Sequence, residues 1–152
     1  MFKIQNLQAA ATNPVAVTRQ NVAKQCGIAL MVLNGEASVE ECTALYDDIK
    51  AVLQNADEKR RLSAAFSEVL SDIAARDADV NVRVEVAKYA HLLPIETVIA
   101  LASDCNDAVK VAIANNSAIR DAANVRLAPT TTLSALSLCR LIVNNLGAFV
   151  AL

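Results

Sequence analysis

Between Asp77 and Ala128 the order of apolar and polar positions is nearly written twice. Asp77, Val82, Arg83, Val84, Val86, Ala87, Leu92 and Val98 recur twenty-seven positions later as Asp104, Val109, Lys110, Val111, Ile113, Ala114, Ile119 and Val125. A fixed offset of that size is the mark of stacked structural repeats. Each copy opens on alternating valines, Val80, Val82, Val84 and Val86 in the first, and Val109, Val111 and Ile113 in the second, a spacing that also suits a half-buried strand. Three features favour helix. Asp79 and Asn106 stand ahead of the runs where N-caps belong, and no glycine-containing hairpin turn follows either run. Pro94, followed by Ile95, Val98, Ile99 and Leu101, has the form of a helix with proline at its first position. At about 100° per residue, Val82, Val86, Tyr89 and Ala90 share one side, and Val109 and Ile113 take the matching side of the second copy.

That projection leaves a remainder on the opposite side: Val84, Lys88 and His91, with Val111 and Asn115 at the equivalents of Val84 and Lys88. Two neighbouring helices would then carry a Val84/Val111 ridge flanked by Lys88, His91 and Asn115. Such a ridge is either packed beneath another element or is a binding surface, since stacked helical repeats commonly offer one helix of each pair to ligands.

Upstream, residues 13–76 predict three further helices. Asn13 and Pro14 are expected to start the first, which carries Val15, Val22, Cys26, Ala29, Leu30 and Leu33 on its apolar side and stops at Gly35. Gly27, costly inside a helix, suggests close approach by a neighbour. Ser38 with Glu41 forms a capping box for the second, whose stripe is Cys42, Leu45, Ile49, Val52 and Leu53. Its outer side gathers Glu40, Glu41, Asp47 and Asp48. Asp57 is expected to open the third, with Leu62, Ala65, Phe66, Val69, Leu70 and Ile73 inward, and the short loop before it makes an antiparallel hairpin.

From Leu127 to Leu152 the only charged side chain is Arg140. A membrane span is disfavoured, because Arg140 near the middle would cost about 2.5–3.5 kcal/mol while each Leu or Val returns a few tenths. Ser134, Ser137, Arg140, Asn144 and Asn145 fall on one side of a helix, and Ala135, Leu138, Cys139, Ile142, Val143 and Leu146 on the other. Thr132 can cap it and Gly147 can end it. This amphipathic helix and its apolar tail, residues 129–152, are expected either to cap the stack or to form a homodimer through Leu138, Ile142, Leu146 and Phe149.

Composition narrows the class. With 55% apolar residues but only 3% aromatic and no Trp, core volume comes from Ala, Val and Leu, and three Gly with three Pro are too few for a turn-rich β fold. A length of 152 residues suits a single helical domain. A net charge of −2, and a lone basic run at Lys59–Arg61 directly behind Asp57 and Glu58, argue against nucleic-acid binding. Cys26, Cys42, Cys105 and Cys139 have no C-x-x-C pair, so neither a metal set nor any other cofactor is expected. Reduced cysteines and the absence of a signal-like start indicate a cytoplasmic protein.

Candidate chemistry centres on the sole histidine. His91 and Cys105, with Asp104 or Asp107 as orienting acid, are the one constellation from which a small enzyme could be built. Isolated glycines at 27, 35 and 147 exclude a phosphate loop.

The residues Asp-x-x-x-x-Val-Arg-Val-x-Val-Ala at Asp77–Ala87, Pro94–Leu101 with Ala102, then Asp104–Ala114 and Asn115-Asn116, resemble HEAT-like helical repeats, more closely the short leucine-rich-repeat variant type. Asp121 stands where the first copy has Pro94, and the cysteine cluster that some variant-repeat proteins use for an iron–sulfur centre is lacking. The resemblance implies a right-handed α-solenoid with a scaffold or adaptor role and no catalytic residues. The expectation is therefore an all-α, HEAT-like stack of helical hairpins acting as a noncatalytic protein-interaction module. An enzyme at His91/Cys105 is the first alternative, and a helical-repeat nucleic-acid binder the second.

Overall fold

A computed structural model describes residues 6–123 and 135–150, and every regular element among them is helical. Both valine runs coil, one as Val80–Ala87 and the other as Asp107–Ala114. Tertiary contacts gather the chain into two compact units, residues 1–86 and 87–152. The division falls inside the first predicted repeat copy rather than ahead of Asp77.

The first unit opens with α1 (Leu7–Ala11), a short helix not expected in the N-terminal lead-in, which buries Leu7 and Ala11. Asn13 does not cap the long helix that follows. Its carboxamide oxygen accepts from the Val15 N–H at 2.9 Å, closing a turn, and α2 (Ala16–Leu33) starts beyond Val15. Val15, expected in the apolar stripe, is thereby 55% exposed, whereas Val22, Cys26, Ala29, Leu30 and Leu33 are buried as expected. Gly35 ends α2 with φ 79°, and Glu36 N–H donates to Met31 O at 2.8 Å while Gly35 N–H donates to Val32 O at 3.1 Å. That double bond pattern satisfies the last carbonyls and requires the left-handed residue that glycine supplies.

The Ser38–Glu41 capping box forms, but it caps a 3₁₀ turn, Val39–Glu41. At Cys42 the backbone leaves helical space (φ −93°, ψ 63°), a second 3₁₀ turn spans Thr43–Leu45, and only then does α3 (Tyr46–Val52) begin. The single second helix is thus three short pieces. Cys42, Leu45 and Ile49 are nevertheless all buried. The break leaves Glu40 and Glu41 on one element and Asp47 and Asp48 on another, all exposed.

α4 (Ala56–Glu68) is capped two residues earlier than expected, by Asn55, whose oxygen accepts from Glu58 N–H at 3.1 Å. It continues as a π turn, Val69–Ile73, and a 3₁₀ turn, Ala74–Arg76. Val69 and Leu70 join Phe66 in the core as the helical spacing expects, while Ile73, at the end of the wider π turn, is only half-buried. α2 packs on α4 and on this π turn, α1 packs on both α2 and the π turn, and α3 packs on α4.

α5 (Val80–Ala87) buries Val82 and Val86. After a 3₁₀ turn at Ala90–Leu92, the second unit holds α6 (Ile95–Ala102), α7 (Asp107–Ala114), α8 (Ser117–Ala122) and α9 (Ala135–Val150). Pro94 sits at the N-cap of α6, one position before the expected first helical residue. α9 lies against α6 and α7. Its Leu138, Cys139, Ile142 and Leu146 are buried, as are Val98 and Leu101 on α6 and Val109 and Ile113 on α7. α9 runs through Gly147 rather than ending there, because glycine permits a left-handed stop without imposing one. Thr132, Val125 and the residues around them lie outside the described part. No helix among the described residues is long and apolar enough to cross a membrane.

Helices of eight residues are marginal alone, so packing supplies most of their stability. Phe66 is fully buried and is the largest such side chain among the described residues. Phe66→Ala is expected to lower unfolding free energy by about 3–5 kcal/mol in denaturant titrations, whereas Val17→Ala, at 74% exposed, is expected to change it by less than about 0.5 kcal/mol. Equal effects of the two substitutions would contradict the packing described.

Candidate functional site

The duplicated segments enter their helices through the same hydrogen bonds. Asp77 Oδ1 accepts from Asp79 N–H at 2.8 Å, and Asp79 Oδ1 in turn accepts from Asn81 N–H at 2.8 Å. Twenty-seven positions on, Asp104 Oδ1 accepts from Asn106 N–H and Asn106 Oδ1 from Ala108 N–H, each at 2.8 Å. Two linked Asx turns thus satisfy backbone donors ahead of α5 and α7, a task short polar side chains perform well.

A partial third copy of this entrance, with one Asx turn in place of two, precedes α2. Asn13, Arg19, Val22, Ala23 and Lys24 keep the spacing of Asp77, Arg83, Val86, Ala87 and Lys88, and of Asp104, Lys110, Ile113, Ala114 and Asn115. Arg19 Nη1 donates back to the carbonyls of Asn13 (2.9 Å) and Pro14 (3.2 Å), as Arg83 Nη1 does to those of Asp77 (2.8 Å) and Ala78 (3.3 Å). The first copy lies sixty-four positions before Asp77 and opens on an amide rather than a carboxylate, so the twenty-seven-residue period does not reveal it. The shared six-residue step from Asx to cation is the signal that does.

Within the first unit these entrances are joined. Arg19 Nε and Nη2 donate to Asp77 Oδ2 and Oδ1 at 2.8 and 3.1 Å, a two-pronged pair whose side chains are only 18% and 7% exposed. Burial acts to raise the Asp77 carboxyl, but the Arg19 fork, the Asp79 N–H and the nearby Arg83 charge outweigh it and hold the group below its usual value of 3.8. Arg19 is raised correspondingly by the same bond.

Of the predicted binding residues, Val84 is half-buried on α5 in the first unit. The other four belong to the second unit. Val111 on α7 is 42% exposed, Lys88 and Asn115 are exposed, and His91 is half-buried in the 3₁₀ turn. Asn116 organises their surroundings. Its oxygen accepts from Ile119 N–H at 3.1 Å as the N-cap of α8, which leaves Nδ2 to donate toward Ala87 O and Lys88 O, each at 3.4 Å. The same Nδ2 lies 3.2 Å from His91 Nδ1. An amide nitrogen only donates, so this contact is a hydrogen bond in the tautomer that leaves Nδ1 as acceptor. Leu138, Ile142 and Leu146, expected at a dimer interface, are buried within the second unit against α6 and α7; Phe149's side chain lies outside the described set.

No family model, curated protein or solved structure matches the chain. The repeat resemblance therefore rests on the residues themselves.

Among the described residues, two concavities are large enough for a small ligand. One of about 460 Å³ in the first unit lies between α1 and the α4–π segment and is lined by Asn6, Gln8, Glu68 and Asp72 among apolar residues. The other, about 350 Å³, lies in the second unit between α6, α7 and α9 and contains Lys110 and Arg140. Among the described residues no group of three or more His, Cys, Asp or Glu side chains gathers as a metal site.

The cysteines divide by exposure. Cys105 is exposed, while Cys26, Cys42 and Cys139 are buried. Burial, with Cys42 nearby, pushes Cys26 up to about 12. Burial likewise raises Cys42 and Cys139, the latter against an opposing pull from Lys110. Thiolate is the reactive form, so a disulfide reagent near neutral pH is expected to label Cys105 rapidly and the other three only on unfolding. A fast phase that survives Cys105→Ser would contradict this.

The depressed Asp77 carboxyl contributes stability that is present above its unfolded value and is lost as pH falls through the folded one. Asp77→Asn keeps an acceptor for Asp79 N–H, as Asn13 does for Val15, but removes the charge. The variant is expected to melt below wild type near neutral pH, with the gap narrowing below about pH 4. A gap that is constant with pH would rule out the Arg19 pair as its source.

Proposed function

We propose that this chain is a noncatalytic protein-interaction module built on stacked, HEAT-like helical units, with its partner contact on the outward side of the repeated helices. The observation that carries the proposal is the threefold entrance, Asn13 to Arg19, Asp77 to Arg83 and Asp104 to Lys110, followed each time by a buried aliphatic–alanine pair: Val22–Ala23, Val86–Ala87, Ile113–Ala114. Such repetition keeps one side of every unit committed to packing and leaves equivalent positions on the other side available. The residue after each pair, Lys24, Lys88 or Asn115, is exposed in all three copies. Val111 adds apolar area at 42% exposure, with Val84 half-buried at the equivalent place.

The enzymatic alternative draws less support. The His91 Nδ1 contact is with an amide that itself caps a helix, an arrangement that holds the ring in place without activating a nucleophile. Cys105 stands exposed in the turn before α7.

The test is affinity capture with the whole chain from native lysate, followed by the same capture with Val84→Asp, Val111→Asp and the double variant. Neither valine is in the buried core, so circular dichroism is expected to report unchanged helix content. A partner held by wild type and lost by the double variant fits the proposal. Identical partner sets from all four proteins would overturn the assignment of this surface.

A further inference from the structure

We propose that the cavity between α6, α7 and α9 binds a small organic anion, a single carboxylate or phosphate carried on a compact apolar body. The charged side chains lining it are Lys110 and Arg140, both positive. Lys110 is largely covered, at 20% exposure, and its ion pair is the long 3.9 Å contact to Asp107, whose own side chain is 95% exposed. Arg140 makes no hydrogen bond or ion pair among the described residues. Arg140 is exposed at the rim and Lys110 is largely covered, so an anion seated on this concave surface would be attracted by both charges.

The remaining groups fit the same ligand. Ser103 and Asn144 bring a hydroxyl and a carboxamide to the lining, both able to donate, and Ala102 and Val143 supply apolar wall. Cys139 also lines the cavity, but its thiol is already engaged, donating to Lys110 O at 3.2 Å, so it contributes surface rather than a nucleophile. Ser103 N–H donates to the last carbonyls of α6, which blunts the negative end of that helix where it meets the cavity.

Size and charge select the ligand class. About 350 Å³ is at the small end of ligand pockets, enough for one oxyanion and a ring-sized body. The chain as a whole is at −2, so a polyanion gains nothing from long-range attraction and the positive charge is purely local. Guanidinium and ammonium together suit a carboxylate or phosphate through charge-assisted bonds.

The test uses the full chain titrated with phenyl phosphate and with benzoate, with benzyl alcohol as the uncharged counterpart and a tetraglutamate peptide as the macromolecular one. Binding is followed by two-dimensional amide NMR in wild type, Lys110→Gln and Arg140→Gln. The expected result is saturable shifts around residues 102–103, 110 and 139–144 with at least one small anion, weakened about tenfold in each variant, and none with benzyl alcohol. Absence of saturation by both anions up to about 10 mM would overturn the proposal. So would binding of equal strength in both variants, or shifts at these residues with tetraglutamate alone, which would make the cavity a peptide-docking feature.

Discussion

Arg19 and Asp77 stand fifty-eight positions apart in sequence and meet as a two-pronged ion pair, and the first unit is closed where they meet. The pair matters because of what surrounds it. α1 and α5 are too short to persist on their own, and their orphan backbone groups need partners. Asp77 answers both needs with one carboxylate, accepting the Arg19 fork while holding Asp79 N–H in the turn that launches α5. Asn13 performs the turn without the charge. The comparison separates the two jobs: an amide is enough to start a helix, and the acid is required to tie one helix entrance to another. Partial burial strengthens the tie, because water competes less for a pair that is 18% and 7% exposed.

The rest of the stability is apolar and fine-grained. With no Trp and few aromatics, the buried set among the described residues is dominated by Ala, Val, Leu and Ile, with Phe66 and Tyr89 as its buried rings. Alanines at Ala23, Ala29, Ala87, Ala90, Ala102 and Ala114 are all nearly inaccessible. Small side chains at those places let backbones approach closely, so that short helices gain many weak contacts rather than a few large ones. The same economy explains why the entrances matter. Little binding energy is available per helix, and each unsatisfied N–H would consume a sizeable share of it.

Much of this was legible in the chain, and the failures have physical causes. Helical character in the valine runs, the Gly35 stop, the Ser38–Glu41 box and most of the buried stripes follow from local rules that tertiary structure did not override. The 3₁₀ break at Cys42 and the π turn at Val69–Ile73 did not: Cys42, Leu45 and Ile49, like Phe66, Val69 and Leu70, are buried as a regular helical spacing would bury them, so the stripe gives no sign that the backbone changes there. Asn55 in place of Asp57 is a choice between two good caps that depends on where the preceding helix runs out. Of the residues at the candidate surface, Val84 and Val111 lie on α5 and α7, whereas Lys88, His91 and Asn115 fall in the turns that follow them, and the cavity was not visible. Arg140 and Lys110 lie thirty positions apart and are brought to one concavity only by the packing of α9 on α7.

That packing also divides the faces of α7. Successive residues on a helix point about 100° apart, so α7 divides into three directions. Val109, Ile113 and Ala114 go to the core, Lys110 lines the cavity, and Val111 stands 42% exposed. α9 behaves similarly, committing Leu138, Ile142 and Leu146 to α6 and α7 while Arg140 and Asn144 border the cavity. A terminal helix with a single charge suggests a face hidden in lipid or in a second copy. Here the apolar face is already covered by its own unit, and the charge is placed where α6, α7 and α9 converge. Because the cavity and the outward valine leave α7 in different directions, the proposed anion at Lys110 would not compete with the proposed partner at Val111. The two are coupled only as far as the position of α7 itself responds.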